Sequence, residues 1–187
     1  MKEKYGQDFY VFGEFWNPDK EANLEYLDKI EERFDLVDVR LHMNLFEASQ
    51  AGADYDLRTI FNDSLVQIKP DKAVTFVENH DTQRGQALES TVEEWFKPAA
   101  YALILLREHG LPCVFYGDYY GISGQYAQED FKDVLDRLLA IRKDLAYGEQ
   151  TDYFDDPNCI GWVRSGAKNQ SPLAIVISND QTNSKTM

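Results

Sequence analysis

Apolar positions in this chain fall into two alternating patterns: short unbroken runs, and longer stretches in which they recur every third or fourth residue. The first is the pattern of a strand buried on both faces, the second that of an amphipathic helix. Residues 9–12 form the first run. Asn17-Pro18 then offers an N-cap followed by proline at the first helical position, and Leu24, Leu27, Ile30 and Phe34 continue at helical spacing. A second run covers residues 36–41 and leads through a loop with Gly52 to a helical face of Leu57, Ile60, Phe61, Leu65 and Ile68, stopped by Pro70. The third run, residues 73–77, is the clearest strand. After it Phe96-Lys97-Pro98 opens a helix over residues 99–106 that is apolar nearly all round, with Gly110 near its end. The fourth run, residues 112–116, ends in Gly117-Asp118 and precedes a long amphipathic helix through Phe131, Val134, Leu135, Leu138, Leu139 and Leu145.

These are four β/α units, so the fold class is α/β with parallel strands. From about Tyr153 the pattern changes to short strands without helices, residues 160–164 and 173–178. The chain therefore divides into a β/α region over residues 1–150 and the start of a small antiparallel β module over 151–187. Four parallel strands in an open set leave two unpaired edges and an uncovered inner face. Either a second copy covers them, or they are half of a closed (β/α)8 barrel of the TIM type. A flavodoxin-like open sheet has the same alternation, but no Gly-rich phosphate loop follows the first strand.

Composition narrows the function classes. Lys and Arg total 19 against 33 Asp and Glu, a formal charge of −14 that repels phosphate backbones and anionic surfaces, so neither nucleic acid nor membrane is expected as a partner. No run approaches the roughly 18 apolar residues of a membrane span, and no export signal is visible. Cys113 and Cys159 lack CxxC spacing and read as buried or partly buried free thiols.

Two acidic residues stand where runs end: Glu14 in Gly13-Glu14-Phe15-Trp16 and Asp81 in Glu78-Asn79-His80-Asp81. Strand C-termini are where parallel α/β folds collect catalytic groups. The apolar neighbours of Glu14 suit a protonated carboxyl group, as a general acid requires, although a Glu capping the following helix fits as well. Four polar residues directly after a buried run point to a polar cavity. His42, His80 and His109 show no HxxxH spacing, so a catalytic metal is not expected.

The two motifs resemble the α-amylase family, glycoside hydrolase family 13, at the segments after its fifth and seventh barrel strands. Trp95-Phe96-Lys97-Pro98, residues 112–121 and residues 156–160 resemble bacterial amylases of the liquefying and intracellular type. The resemblance implies the second half, strands 5 to 8, of a TIM-type barrel followed by part of the antiparallel C-terminal domain. It implies an enzyme cleaving internal α-1,4-glucosidic bonds of starch, glycogen or maltodextrin with retention, in the cytoplasm. Glu14 would be the general acid/base and Asp81 the carboxylate that stabilises the transition state. His80, Trp16 and Gln83 would line the sugar cleft. Retention also needs a nucleophilic carboxylate about 5 to 5.5 Å from the acid. The family's nucleophile follows the fourth strand, which this chain does not contain, and Val39-Arg40-Leu41-His42 only echoes its motif. The chain alone is therefore expected to be inactive. Its partners would be α-glucan and either the missing N-terminal half or a second copy; a non-catalytic, self-associating or glucan-binding half-barrel is the alternative. The resemblance implies Ca2+ for the full-length enzyme, mainly outside this chain, with a lesser position at the Ala53 and Tyr55 carbonyls and Asn158.

Overall fold

The computed structural model describes residues 9–180 and 182. Strands β1 (Phe12–Gly13), β2 (Asp35–Val37), β3 (Ala73–Phe76) and β4 (Leu111–Cys113) form one wholly parallel sheet in sequential order. The register pairs Gly13 with Leu36, Val37 with Val74, and Phe76 with Cys113. Between them run helices α1 (Lys20–Lys29), α2 (Val39–Ala51), α3 (Leu65–Ile68) and α4 (Lys97–Leu105). After β4 come α5 (Tyr116–Tyr120) and α6 (Lys132–Leu145), and then an antiparallel sheet of β5 (Gln150–Asp156), β6 (Cys159–Arg164) and β7 (Leu173–Ser178). This is a partial barrel followed by a β module.

The structure departs from the pattern at three places. Asn17 is not the cap of α1: its Oδ1 accepts from the Asp19 amide, and Asp19 caps the helix by accepting from the Ala22 amide at 2.8 Å. The run at 36–41 is half strand and half helix, because Asp38 ends β2. Its buried carboxylate accepts from the Leu41 amide at the start of α2 and from the Leu65 and Val66 amides at the start of α3, at 2.8 to 3.0 Å. One carboxylate thus satisfies orphan donors at two helix N-termini. The helical face at 57–68 is broken into a 3-10 turn (Leu57–Thr59) and α3, with Asp63 between them at φ +59°.

Side chains alternate across the central strands. Leu36, Ala73 and Val77 face the helices and join the main core with Leu41, Leu45, Leu103 and Ile104. Val37, Val74 and Phe76 face the other way and form a small inner cluster with Val39, Trp16 and Met43. Helix α4 is buried from Ala100 to Leu105, as its all-round apolarity requires, because α6 packs on it from one side and β3 and β4 from the other, within one core that also includes Ile160, Trp162 and Ile177 of the β module. The Trp162 indole donates to the Leu106 carbonyl, joining the β module to the C-terminal end of α4. The outer strands are different. Tyr10, Val11 and Phe12 on one side and Leu111 on the other are about half exposed. Cys113 of β4 is exposed as well, contrary to the expectation of a buried or partly buried thiol, because β4 pairs only with β3 and has no strand on its other side among the described residues; Cys159 is buried.

Candidate active site

A parallel sheet sends every strand's C-terminal end to one edge, and the loops after β1 and β3 both leave from it. Gly13 lets β1 sit close to its neighbour: a Cβ there would lie 2.6 Å from the Phe34 ring. The next residues diverge. Phe15 stacks on Tyr26 of α1 at 4.4 Å, while Trp16 turns onto the inner face, 6.0 Å from the His42 ring and 6.1 Å from Phe76. Glu14 between them is exposed, so the apolar enclosure read from its neighbours is absent here: both rings turn onto the protein and leave the carboxylate facing out. Trp16 is half-buried against Phe76 and offers one side only.

The loop after β3 is built around the Asn79 side chain. Its Oδ1 accepts from the amides of Asp81 and Thr82, both at 2.9 Å, and the Asn79 amide donates to the Thr82 hydroxyl at 2.9 Å. This is an Asx turn closed by a threonine. It presents His80, with 71% of its side chain exposed, beside Asp81, Nε2 to Oδ2 3.6 Å. Gln83 donates its amide to the His80 carbonyl at 3.0 Å, and so braces the turn.

Below this turn lies a layer of buried polar groups. His42 of α2 is fully buried, stacked on Phe76 at 5.0 Å, with Nδ1 2.9 Å from the Val77 carbonyl and Nε2 2.8 Å from the Ser90 hydroxyl. The carbonyl requires Nδ1 to carry the proton, which leaves Nε2 to accept. Burial pushes this imidazole down to about 4, so it is neutral. Glu78 and Lys97 have fully buried side chains, Nζ to Oε2 3.6 Å. Lys97 also meets Asp118 at 2.5 Å and Gln128 at 3.1 Å. The remaining donors to Asp118 are the Tyr101 hydroxyl and the Gln128 amide. The Thr82 hydroxyl donates to Glu78 Oε1.

The third set of candidate residues also meets. Asn158 Nδ2 donates to the Ala53 carbonyl at 2.6 Å, and Asn179 Nδ2 donates to the Gly52 and Tyr55 carbonyls at 2.8 and 2.9 Å. The two asparagines are joined at 3.0 Å. Ala53, Tyr55 and Asn158 are thus brought together, but the donors aimed at the carbonyls are amide N–H groups. That arrangement does not fit Ca2+, which takes six to eight oxygens. Among the described residues no cluster of three or more His, Cys, Asp or Glu could hold a metal ion.

Sequence reading found the two strand-end carboxylates and missed what supports them. Asn79-x-x-Thr82 is a readable turn signal, and a lysine directly before the proline of an otherwise apolar helix is a readable anomaly. The pairing of Lys97 with Asp118 and Glu78 has no local signature.

The comparisons with known proteins agree with this geometry. A family model for the α-amylase catalytic domain matches residues 1–168. A glucan 1,4-α-maltohexaosidase of Bacillus sp. (strain 707) is 48% identical over 97% of this chain, and a cytoplasmic α-amylase of Escherichia coli (strain K12) is 42% identical over all of it. The chain spans only 35% and 40% of those two relatives' lengths. Among solved structures, α-amylase I of Eisenia fetida shares the fold at a TM-score of 0.61 and 14% identity, over 94% of this chain and 42% of the other. No helix among the described residues is long and apolar enough to cross a membrane. With parallel half-barrel, strand-end carboxylates and family model in agreement, the chain belongs to the α-amylase catalytic-domain family.

Proposed function

We propose that this chain is the C-terminal half of a retaining α-amylase-type glycosidase, whose parent cleaves internal α-1,4-glucosidic bonds of starch, glycogen or maltodextrin. In this reading residues 1–150 are the partial catalytic barrel and 151–187 the start of its C-terminal domain. Glu14 protonates the departing glycosidic oxygen, and Asp81 stabilises the positive charge that develops on the sugar. His80 and Gln83 meet sugar hydroxyls, and Trp16 lines the cleft from its open side. The parent's Ca2+ is held mainly outside this chain in this reading, which the amide-satisfied carbonyls at the Asn158 junction support. A cytoplasmic parent agrees with the name of the Escherichia coli relative.

One observation carries the reading: the loops of Glu14 and Asp81 leave the same edge of one parallel sheet, and Trp16 from the first packs on Phe76 at the base of the second. Exposure of Glu14 suits this role in the half-barrel, because the carboxylate that would attack from the other side belongs to strands outside this chain. The purified chain should release no reducing ends from starch. Mixing it with a separately expressed N-terminal half that carries a Gly-Phe-Arg-x-Asp motif should restore cleavage, and Glu14→Gln or Asp81→Asn should remove it again. Cleavage by the chain alone, or restored cleavage that survives Glu14→Gln, would overturn the reading.

The exposed edge strands favour a second reading, a non-catalytic half-barrel that pairs with its own copy and binds glucan. β1 of one copy would then pair with β4 of the other. Sedimentation should show a dimer that binds maltooligosaccharides without turnover. A monomer that binds none removes this reading.

A further inference from the structure

Glu78 is the least explained group in the buried layer. Asp118 already receives Lys97, Tyr101 and Gln128, so the one ammonium is matched by one carboxylate before Glu78 is counted. Glu78 adds a second carboxylate whose fully buried Oε2 makes no close hydrogen bond, with the Lys97 ammonium 3.6 Å away and the Val92 amide beside the carboxyl group. An apolar residue at this position would avoid that cost. What an apolar residue would not supply is an acceptor for Thr82.

The Thr82 hydroxyl has a single proton. Donated to Glu78 Oε1, it leaves the oxygen lone pairs to accept from the Asn79 amide, the contact that closes the turn. We propose that Glu78 is a positioning residue: through the Thr82 hydroxyl it holds the turn 79–82, and with it His80 and Asp81, in register with Lys97 of α4 and Asp118 of α5. The proposal rests on the reading of Asp81 as a catalytic carboxylate, and it names what keeps that carboxylate in place. The charged and titratable groups around Glu78 are Lys97 and Asp118, with Tyr101 bound to Asp118; His42, from α2, reaches Val77 and Ser90 on the adjoining side.

Burial pushes the Glu78 carboxyl up to about 7. Its charge therefore changes near neutrality, and the ionised form is the stronger acceptor. The turn should tighten as pH rises from 6 to 8. Amide exchange in the 187-residue chain reads this directly, once rates are normalised for the intrinsic pH dependence of exchange. Protection of the Asn79 amide should rise severalfold between pH 6 and pH 8 in the unaltered chain. Glu78→Gln should abolish that step while leaving the fold intact, since glutamine keeps an acceptor oxygen. Thr82→Val should lower Asn79 protection about tenfold at pH 8, and Thr82→Ser should restore it, which loss of a merely structural contact would not require. A pH step that is absent from the unaltered chain, or that survives in Glu78→Gln, overturns the proposal. Because amide exchange needs no turnover, this outcome is independent of the starch assay that tests the functional reading.

Discussion

The loops after β1 and β3 both carry a candidate catalytic carboxylate, yet they are held in opposite ways. β3 is a central strand, buried at every position, and its loop is tied from below through Thr82, Glu78, Lys97 and Asp118 to α4 and α5. β1 is an outer strand, and its loop is tied through Phe15 and the Asn23 side chain to α1 and through Trp16 to the inner face, with no hydrogen bond to the Glu14 carboxylate among the described residues. A central strand has neighbours on both sides to position its loop, and an edge strand has them on one. The partial barrel thus carries one candidate residue on a hydrogen-bonded turn and one on a loop held from a single side.

The largest effect should come from the cation that organises the β3 side. Lys97→Met keeps the aliphatic length of the side chain but leaves Glu78 and Asp118 buried together without an ammonium. Losing one partner of a buried ionic set costs about 3–5 kcal/mol. Urea denaturation should show a loss of that order, larger at pH 8 than at pH 6 because Glu78 then ionises. A loss below about 1 kcal/mol would mean that the β3 loop is no better supported than the β1 loop.

Next come the two buried titrating groups, whose pH dependences run in opposite directions. Glu78 is raised from 4.5 to about 7, so the folded chain holds this proton where the unfolded chain has lost it. Its contribution is fully present below 4.5 and lost as pH rises through about 7. His42 is lowered from 6.5 to about 4, so its contribution is fully present above 6.5 and lost as pH falls through about 4. Each shift corresponds to on the order of 3 kcal/mol across its window. Relative to the unaltered chain, Glu78→Gln should gain stability progressively from pH 4.5 to 7, and His42→Gln should gain relative stability from pH 6.5 down to 4. Denaturation midpoints at half-unit pH intervals would show two difference curves of opposite slope. Parallel curves would contradict the assignment of charge states to this layer.

The contrast between the loops also marks what a sequence discloses. Runs of β-branched and aromatic residues gave all four parallel strands, and the all-round apolarity of residues 99–106 required cover on both sides, which α6 and the sheet supply, because both are local patterns with one physical solution. Asp38 was not legible as the end of β2: its three acceptor bonds include Leu65 and Val66, 27 and 28 residues away. The same holds for Lys97 and Asp118, 21 residues apart, whose pairing exists only once α4 and α5 are side by side. Exposure of Glu14 was misread because flanking aromatics predict an apolar neighbourhood but not which way each ring turns. At the junction, Ala53, Tyr55 and Asn158 were grouped only through the family resemblance, as a calcium position, whereas Asn179, which satisfies the Tyr55 carbonyl, lies 124 residues from it.

The smallest effect is expected at the residue with the most direct chemistry. Glu14 is exposed and bonded to none of the described residues, so Glu14→Gln removes a charge from water and nothing from the packing. Stability should change by no more than about 0.5 kcal/mol, the range of a surface substitution. Thermal unfolding of the two chains should therefore coincide, while Asp81→Asn, in a turn fixed by Asn79 and Thr82, should shift it measurably through its 3.6 Å contact with His80. If Glu14→Gln destabilised the chain as much as Asp81→Asn, the β1 loop would have a structural partner of its own, and the difference between an edge and a central strand would not be what separates the two sites. If both variants were silent, the support under the β3 loop would end at Thr82 and leave the Asp81 carboxylate as unconstrained as that of Glu14.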